Sequence, residues 1–150
     1  LDLLGRKVPM EDGASLRALF ARMQACTATA RRSSTLAPYA DALDTAIAGV
    51  GATTAGLVEA LRREPERALA NATIYLDSLG HVVVAWRWLA QAQAAEAGFA
   101  EASDAERGFY AGKLAACRFF FRYELPKIGP ALELLRSLDD TAITIPDGGF

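Results

Sequence analysis

The sequence predicts an all-α protein, an antiparallel four- to five-helix bundle with an irregular C-terminal tail. Three observations point there. Apolar residues recur at alternating steps of three and four through most of the chain, which lines up one face of a helix. About a fifth of the residues are Ala, the strongest helix former. Stretches of strict apolar–polar alternation, the mark of half-buried strands, are nearly missing. With 150 residues, 52% of them hydrophobic, the chain has the size of one domain and can bury a core without disulfides or metal. Residues 1–150 are therefore read as a single helical domain, with the bundle over residues 11–138 and the tail over 139–150.

The first helix follows Asp12-Gly13, with Asp12 as the expected N-cap. Leu16, Leu19, Phe20, Met23 and Cys26 form its apolar stripe. The uniformly polar run from Arg31 to Thr35 makes a loop, and Pro38 suits the first turn of a second helix. That helix carries Leu43, Ile47, Val50, Thr54, Leu57 and Leu61 on one face. Gly49, Gly51 and Gly56 lie inside it, each costing about 1 kcal/mol relative to Ala. They predict close approach of a neighbouring helix, or a kink.

Glu64-Pro65-Glu66 closes that helix and opens a third, with Pro65 in its first turn. The third helix is expected to run unbroken to about Ala97, with Gly98 as its C-terminal cap. Its segment Val82 to Leu89 is apolar nearly all round, the pattern of a central helix. Ser103-Asp104-Ala105-Glu106 reads as a capping box for the fourth helix. The stripe Tyr110, Leu114, Cys117, Phe121, Leu125, Ile128, Leu132, Leu135 continues through Pro126, so a kinked helix is predicted. Gly108 and Gly112, four apart inside it, predict tight helix packing.

Charge and motifs exclude several functions. Residues 1–75 carry nine basic and eight acidic side chains, residues 76–150 seven and ten, giving a net charge of −2. No basic footprint for nucleic acid exists. The longest uncharged run, Thr45 to Val58, has 14 residues, against about 20 for a membrane span. The first residues carry no basic start or long apolar run, so no signal peptide is expected, and an initial Leu in place of Met suits a fragment. Cys26 and Cys117 fall on apolar helix faces, as free thiols suited to a reducing cytoplasm. No phosphate-binding glycine loop occurs.

His81, the only histidine, cannot build a metal site alone. It stands one turn after Asp77, so an Asp–His pair is geometrically open, although a satisfied polar group is the plainer reading. No catalytic, cofactor-binding or metal-binding residue is assigned. Trp86 and Trp88 lie two apart and point to opposite sides of a helix, one expected in the core and the other at a second surface. Arg118 and Arg122 flank the aromatic run Phe119 to Phe121. These four, Trp86, Trp88, Arg118 and Arg122, are the candidate interface residues.

Several stretches carry a further signal. The opening Leu1-Asp2-Leu3-Leu4-Gly5-Arg6-Lys7-Val8-Pro9 resembles the segment after the catalytic Glu-Gly-Thr loop of acyl-CoA dehydrogenases. Residues 75–86, beginning Tyr75-Leu76-Asp77, and 109–121, Phe109 to Phe121, resemble the additional C-terminal helical domain of one subgroup. So do the Glu124-Leu125-Pro126 turn and Leu138-Asp139-Asp140-Thr141-Ala142. That subgroup is similar to 3-methylmercaptopropionyl-CoA dehydrogenase. The resemblance implies a parent enzyme of fatty acid metabolism that holds FAD and oxidises an acyl-CoA thioester, with a glutamate as base and flavin as hydride acceptor. It implies that residues 1–10 end the last helix of an upstream catalytic core. It further implies that this chain packs on that core or on a second subunit of a homo-oligomer. The Glu-Gly-Thr motif is not in the sequence, so no catalytic residue carries over. The alternative is a free-standing helical module that binds a partner helix or an apolar ligand.

Overall fold

Helix is the only regular structure among the described residues, 3–145, of the computed structural model. The expected tail beyond Ile145, the first two residues and the side chain of Asp12 lie outside that description. Seven α-helices are seen there: α1 (Ala14–Ala30), α2 (Ala37–Ala60), α3 (Pro65–Ala70), α4 (Ala72–Phe99), α5 (Asp104–Phe119), α6 (Ile128–Arg136) and α7 (Thr141–Thr144). Five of them are long enough to form a bundle, and α7 is a single turn within the tail.

The stripes read from the sequence are the faces that become buried. Leu43, Ile47, Val50, Thr54 and Leu57 line the inner face of α2, and Met23 the inner face of α1. Cys117, Phe121, Leu125, Ile128, Leu132 and Leu135 keep their stripe across the bend after α5. Fully burying one such aliphatic side chain contributes roughly 1.5–3 kcal/mol. The central place falls to α4, which touches α1, α2, α5 and α6. It presents Tyr75, Val82, Ala85, Leu89 and Ala92 to the core. Leu4 and Val8, from the segment ahead of α1, are buried in the same cluster.

Buried polar groups join the helices instead of weakening the core. The Tyr75 hydroxyl of α4 donates to Thr54 Oγ1 of α2 at 2.8 Å, and Thr54 donates in turn to the Val50 carbonyl at 2.7 Å. Each group thereby avoids the cost of an unpaired buried dipole. The Gln93 amide of α4 donates to the Cys26 carbonyl of α1 at 2.9 Å, and Ser33 donates to Glu96 at 3.0 Å. At the α1–α2 corner, the Arg31 guanidinium bridges Asp41 and Asp44.

The structure corrects the sequence reading at several points. The third helix is not continuous: it breaks at Asn71 (φ −111°, ψ 31°) into α3 and α4. The Asn71 amide donates to the Asp139 carbonyl at 2.8 Å, and Arg67 Nε lies 3.0 Å from Asp140, so the tail is fastened to the break. Gly98 is not a cap but sits in the last turn of α4, where a Cβ would come within 2.8 Å of the Tyr110 ring. The N-cap of α1 is Gly13, not Asp12, at φ 77° in the left-handed region that glycine tolerates. The bend at Pro126 is spread over a π-helical turn, Phe120–Glu124, and a 3-10 turn, Leu125–Lys127, before α6 resumes. Of the three glycines in α2, only Gly49 is closely approached, with Leu132 of α6 at 3.2 Å from its would-be Cβ; around Gly56 nothing lies within 4 Å.

Candidate functional site

The groups that could carry chemistry are tied into the framework one by one. His81 Nδ1 donates to the main-chain carbonyl of Asp77 at 2.8 Å. The carboxylate pair that the spacing left open is therefore not the contact made. The Cys117 thiol is fully buried, and desolvation pushes its pKa up to about 12, far from the thiolate a nucleophile needs. Cys26 is half-buried; burial raises its pKa, against the opposing effect of hydrogen bonding with Gln93. Among the described residues no three His, Cys, Asp or Glu side chains are placed to hold a metal ion. Nor is any helix there long and apolar enough to cross a membrane.

The tryptophans correct a second expectation: neither enters the core. The inner face of α4 is filled by Val82, Ala85 and Leu89, and Trp86 and Trp88 pack half-buried on its two flanks. On one flank Arg22 of α1 and Arg87 lie over Trp86, 5.7 and 5.2 Å from the ring centre. On the other, Lys113 of α5 lies 5.5 Å from the ring of Trp88 and donates to Gln91 at 2.9 Å. Such contacts hold neighbouring helices together with modest cation–π attraction. Arg118 and Arg122 are exposed near the far end of α5. Of the four candidate residues, Trp86 and Trp88 thus lie on opposite flanks of α4, and Arg118 and Arg122 at and just beyond the end of α5.

Sequence reasoning missed the exposed aromatics. Phe121 is buried as predicted, but Phe119 is 54% and Tyr123 63% exposed, their rings stacked at 4.9 Å. Phe109 is 61% exposed on the same helix. The signal was present: Phe119 lies two positions from Phe121 and so about 200° around the helix from the buried stripe. Gly108 and Gly112 share this outward location. They are exposed, with no atom within 4 Å of a would-be Cβ, so the packing predicted for them is not made within the fold.

Several open grooves mark the described surface, two of them lined mainly by apolar side chains of the long helices. The larger, about 540 Å³, runs between α1 and α2, floored by Leu16, Phe20 and Val58 with Arg17, Glu59 and Arg62 at its rim. A second, about 370 Å³, is lined by Ala46, Gly49, Leu125 and Ile128. Both linings are largely apolar side chains, and no flavin contact is assigned to them.

Comparison with known proteins places this arrangement. The family of acetyl-CoA dehydrogenase C-terminal-like domains matches residues 19–146, from within α1 to the end of the described tail. The broad-specificity linear acyl-CoA dehydrogenase FadE5 of Mycobacterium tuberculosis is 32% identical over 77 residues. That alignment covers 51% of this chain and 13% of FadE5, so the matched part is a small share of that enzyme.

Proposed function

The chain belongs to the acetyl-CoA dehydrogenase C-terminal-like family, and from that membership we propose that it serves as the C-terminal accessory domain of an FAD-dependent acyl-CoA dehydrogenase. In this reading it packs against an upstream catalytic core or a second subunit and carries out no chemistry itself. The observation that carries the reading is the family match over nearly the whole bundle. The tied-down state of His81, Cys26 and Cys117 supports a packing role over a catalytic one. The parent takes an acyl-CoA thioester, and its base and flavin site belong to residues outside this chain. Residues 1–10 lead from the last core helix into the bundle, where Leu4 and Val8 are anchored. The nearer resemblance to the 3-methylmercaptopropionyl-CoA dehydrogenase subgroup and a cytoplasmic location are parts of the same proposal.

The test is made on the parent gene. The codons before Leu1 are expected to encode a flavoprotein core with the Glu-Gly-Thr loop; any other coding sequence there ends the proposal. In the expressed full-length protein, removing this domain is expected to leave a flavin-binding core of lower stability or altered oligomeric state. The 150-residue chain alone is expected to show neither flavin absorbance nor dehydrogenase turnover.

A further inference from the structure

Helix α5 has two apolar faces, and the fold uses one. Its inner face lies on α4 through Tyr110 against Gly98, Lys113 on Trp88 and Gln91, and the buried Cys117. The outer face reads Ala105, Gly108, Gly112, Ala115 and Phe119, in steps of 3, 4, 3 and 4 residues, continued by Arg122 in the π-helical turn that follows, and all six are exposed. This is the heptad spacing of a helix–helix seam. Its two ends differ: the first half is a trough of small residues, and the second ends in the stacked rings of Phe119 and Tyr123. Charge differs in the same sense, with Asp104 at the start and Arg118 and Arg122 at the end. None of those three makes a salt bridge among the described residues.

A knob and an acid–base pair set at opposite ends of one stripe are complementary to the same stripe turned around. We propose that the outer face of α5 pairs antiparallel with α5 of a second copy of this chain, about a two-fold axis between residues 113 and 114. The register follows from the sequence spacing. Phe119 of each copy seats over Gly108 of the other, Gly112 meets Ala115, and Arg122 lies beside Asp104. Glycine at the hole lets the two backbones approach more closely than the usual 8–10 Å between helix axes. A two-fold axis perpendicular to the helices keeps Arg122 and Asp104 on the same flank, as an isologous contact demands. A parallel pairing would instead set Phe119 against Phe119 and Arg122 against Arg122, leaving the trough empty. The contact is that of one helix on another, at the small end of stable interfaces, so dissociation in the micromolar range is expected.

Sedimentation equilibrium of the 150-residue chain across the micromolar range tests this, with a monomer–dimer equilibrium expected. Gly108→Leu fills the trough where nothing in the monomer crowds it. Because Leu favours helix over Gly, the monomer is expected to fold at least as well, which circular dichroism checks. Dimerisation should weaken by about tenfold or more. Arg122→Asp should weaken it as well, and Asp104→Arg combined with Arg122→Asp should restore most of the loss. Three results would each overturn the proposal. The chain stays monomeric at concentrations on the order of hundreds of micromolar, in which case the face serves a different protein, an upstream core included. The dimer is indifferent to Gly108→Leu. The double charge reversal dimerises no better than Arg122→Asp alone.

Discussion

The four-helix core of α1, α2, α4 and α6 and the outlying helix α5 are built on opposite principles. In the core, α2, α4 and α6 offer stripes of buried residues and α1 adds Met23, Thr27 and Ala30, while internal polar groups such as Tyr75 and Thr54 are paired across helices. Helix α5 buries only Cys117 along its whole length. It is held by its cap, by Tyr110 against Gly98 and by Lys113 between the rings of Trp88 and Phe109. Burial makes the first region's stability resistant to surface change. The second leans more on local helix chemistry and on its contact with α4, and is expected to open before the core.

The contrast can be broken most directly by truncation. Leu89→Ala in α4 removes a side chain with no exposed surface and is expected to cost about 2–5 kcal/mol in urea unfolding. Phe109→Ala in α5 takes away a larger side chain that is 61% exposed, and should change global stability by only about 0.5 kcal/mol. Equal losses would erase the distinction. The next effect in size is that of Tyr75→Phe, expected to cost about 1 kcal/mol because Thr54 retains its bond to the Val50 carbonyl. Thermal melts of the two proteins would show it.

Ser103→Ala probes the α5 side alone. The Ser103 N–H and hydroxyl both donate to Glu106 Oε2, at 2.9 and 2.6 Å. Losing the cap should cost about 1 kcal/mol, read as faster amide exchange in the first turns of α5 with the core unchanged. The same bonds lower the Glu106 pKa below its ordinary value. Their support is therefore complete above the usual carboxylate range and is lost as pH falls through that lowered pKa. Amide exchange in α5, compared with that in α2 across acidic pH, should reveal it. The smallest effect is a gain. Gly112→Ala adds a methyl where nothing lies within 4 Å, and should stabilise α5 by up to about 0.8 kcal/mol. Gly98→Ala should forfeit that gain, since its Cβ would press on Tyr110 at 2.8 Å.

The same contrast explains what could be read beforehand. In α2 and α6 one face is rich in Leu, Ile and Val and the other is not, so periodicity named the buried residues correctly. In α5 the face of Tyr110, Leu114 and Cys117 competes with that of Gly108, Gly112 and Ala115. Glycine and alanine have too little side chain for their transfer energy to announce whether they face inward or outward. The sequence therefore predicts internal packing for the glycine pair, and leaves open which faces of the Phe119 to Phe121 run are exposed. The tryptophan expected in the core was misplaced for a related reason: a ring can cover a core from its edge, with a cation above it, at no cost to its own burial pattern in sequence. The break at Asn71 was hidden in part because the partner of its side chain, the carbonyl of Asp139, stands 68 residues away. No metal or catalytic residue had been assigned, and the remaining interface residues could be located only once the helices had neighbours.

The fastening of the tail at α3 has one further implication. A would-be Cβ on Gly5 lies 3.5 Å from Leu69, while Asp139 and Asp140 bind Asn71 and Arg67. Segments near the two ends of the chain therefore converge on one six-residue helix. Polypeptide arranged in this way is suited to rewiring: the segments around Gly5 and Asp140 could be joined across α3 by a linker, with new termini opened in the exposed turn between α4 and α5. A circular permutant cut there should retain the bundle, whereas one cut inside α3 would separate the two clasped segments and lose it.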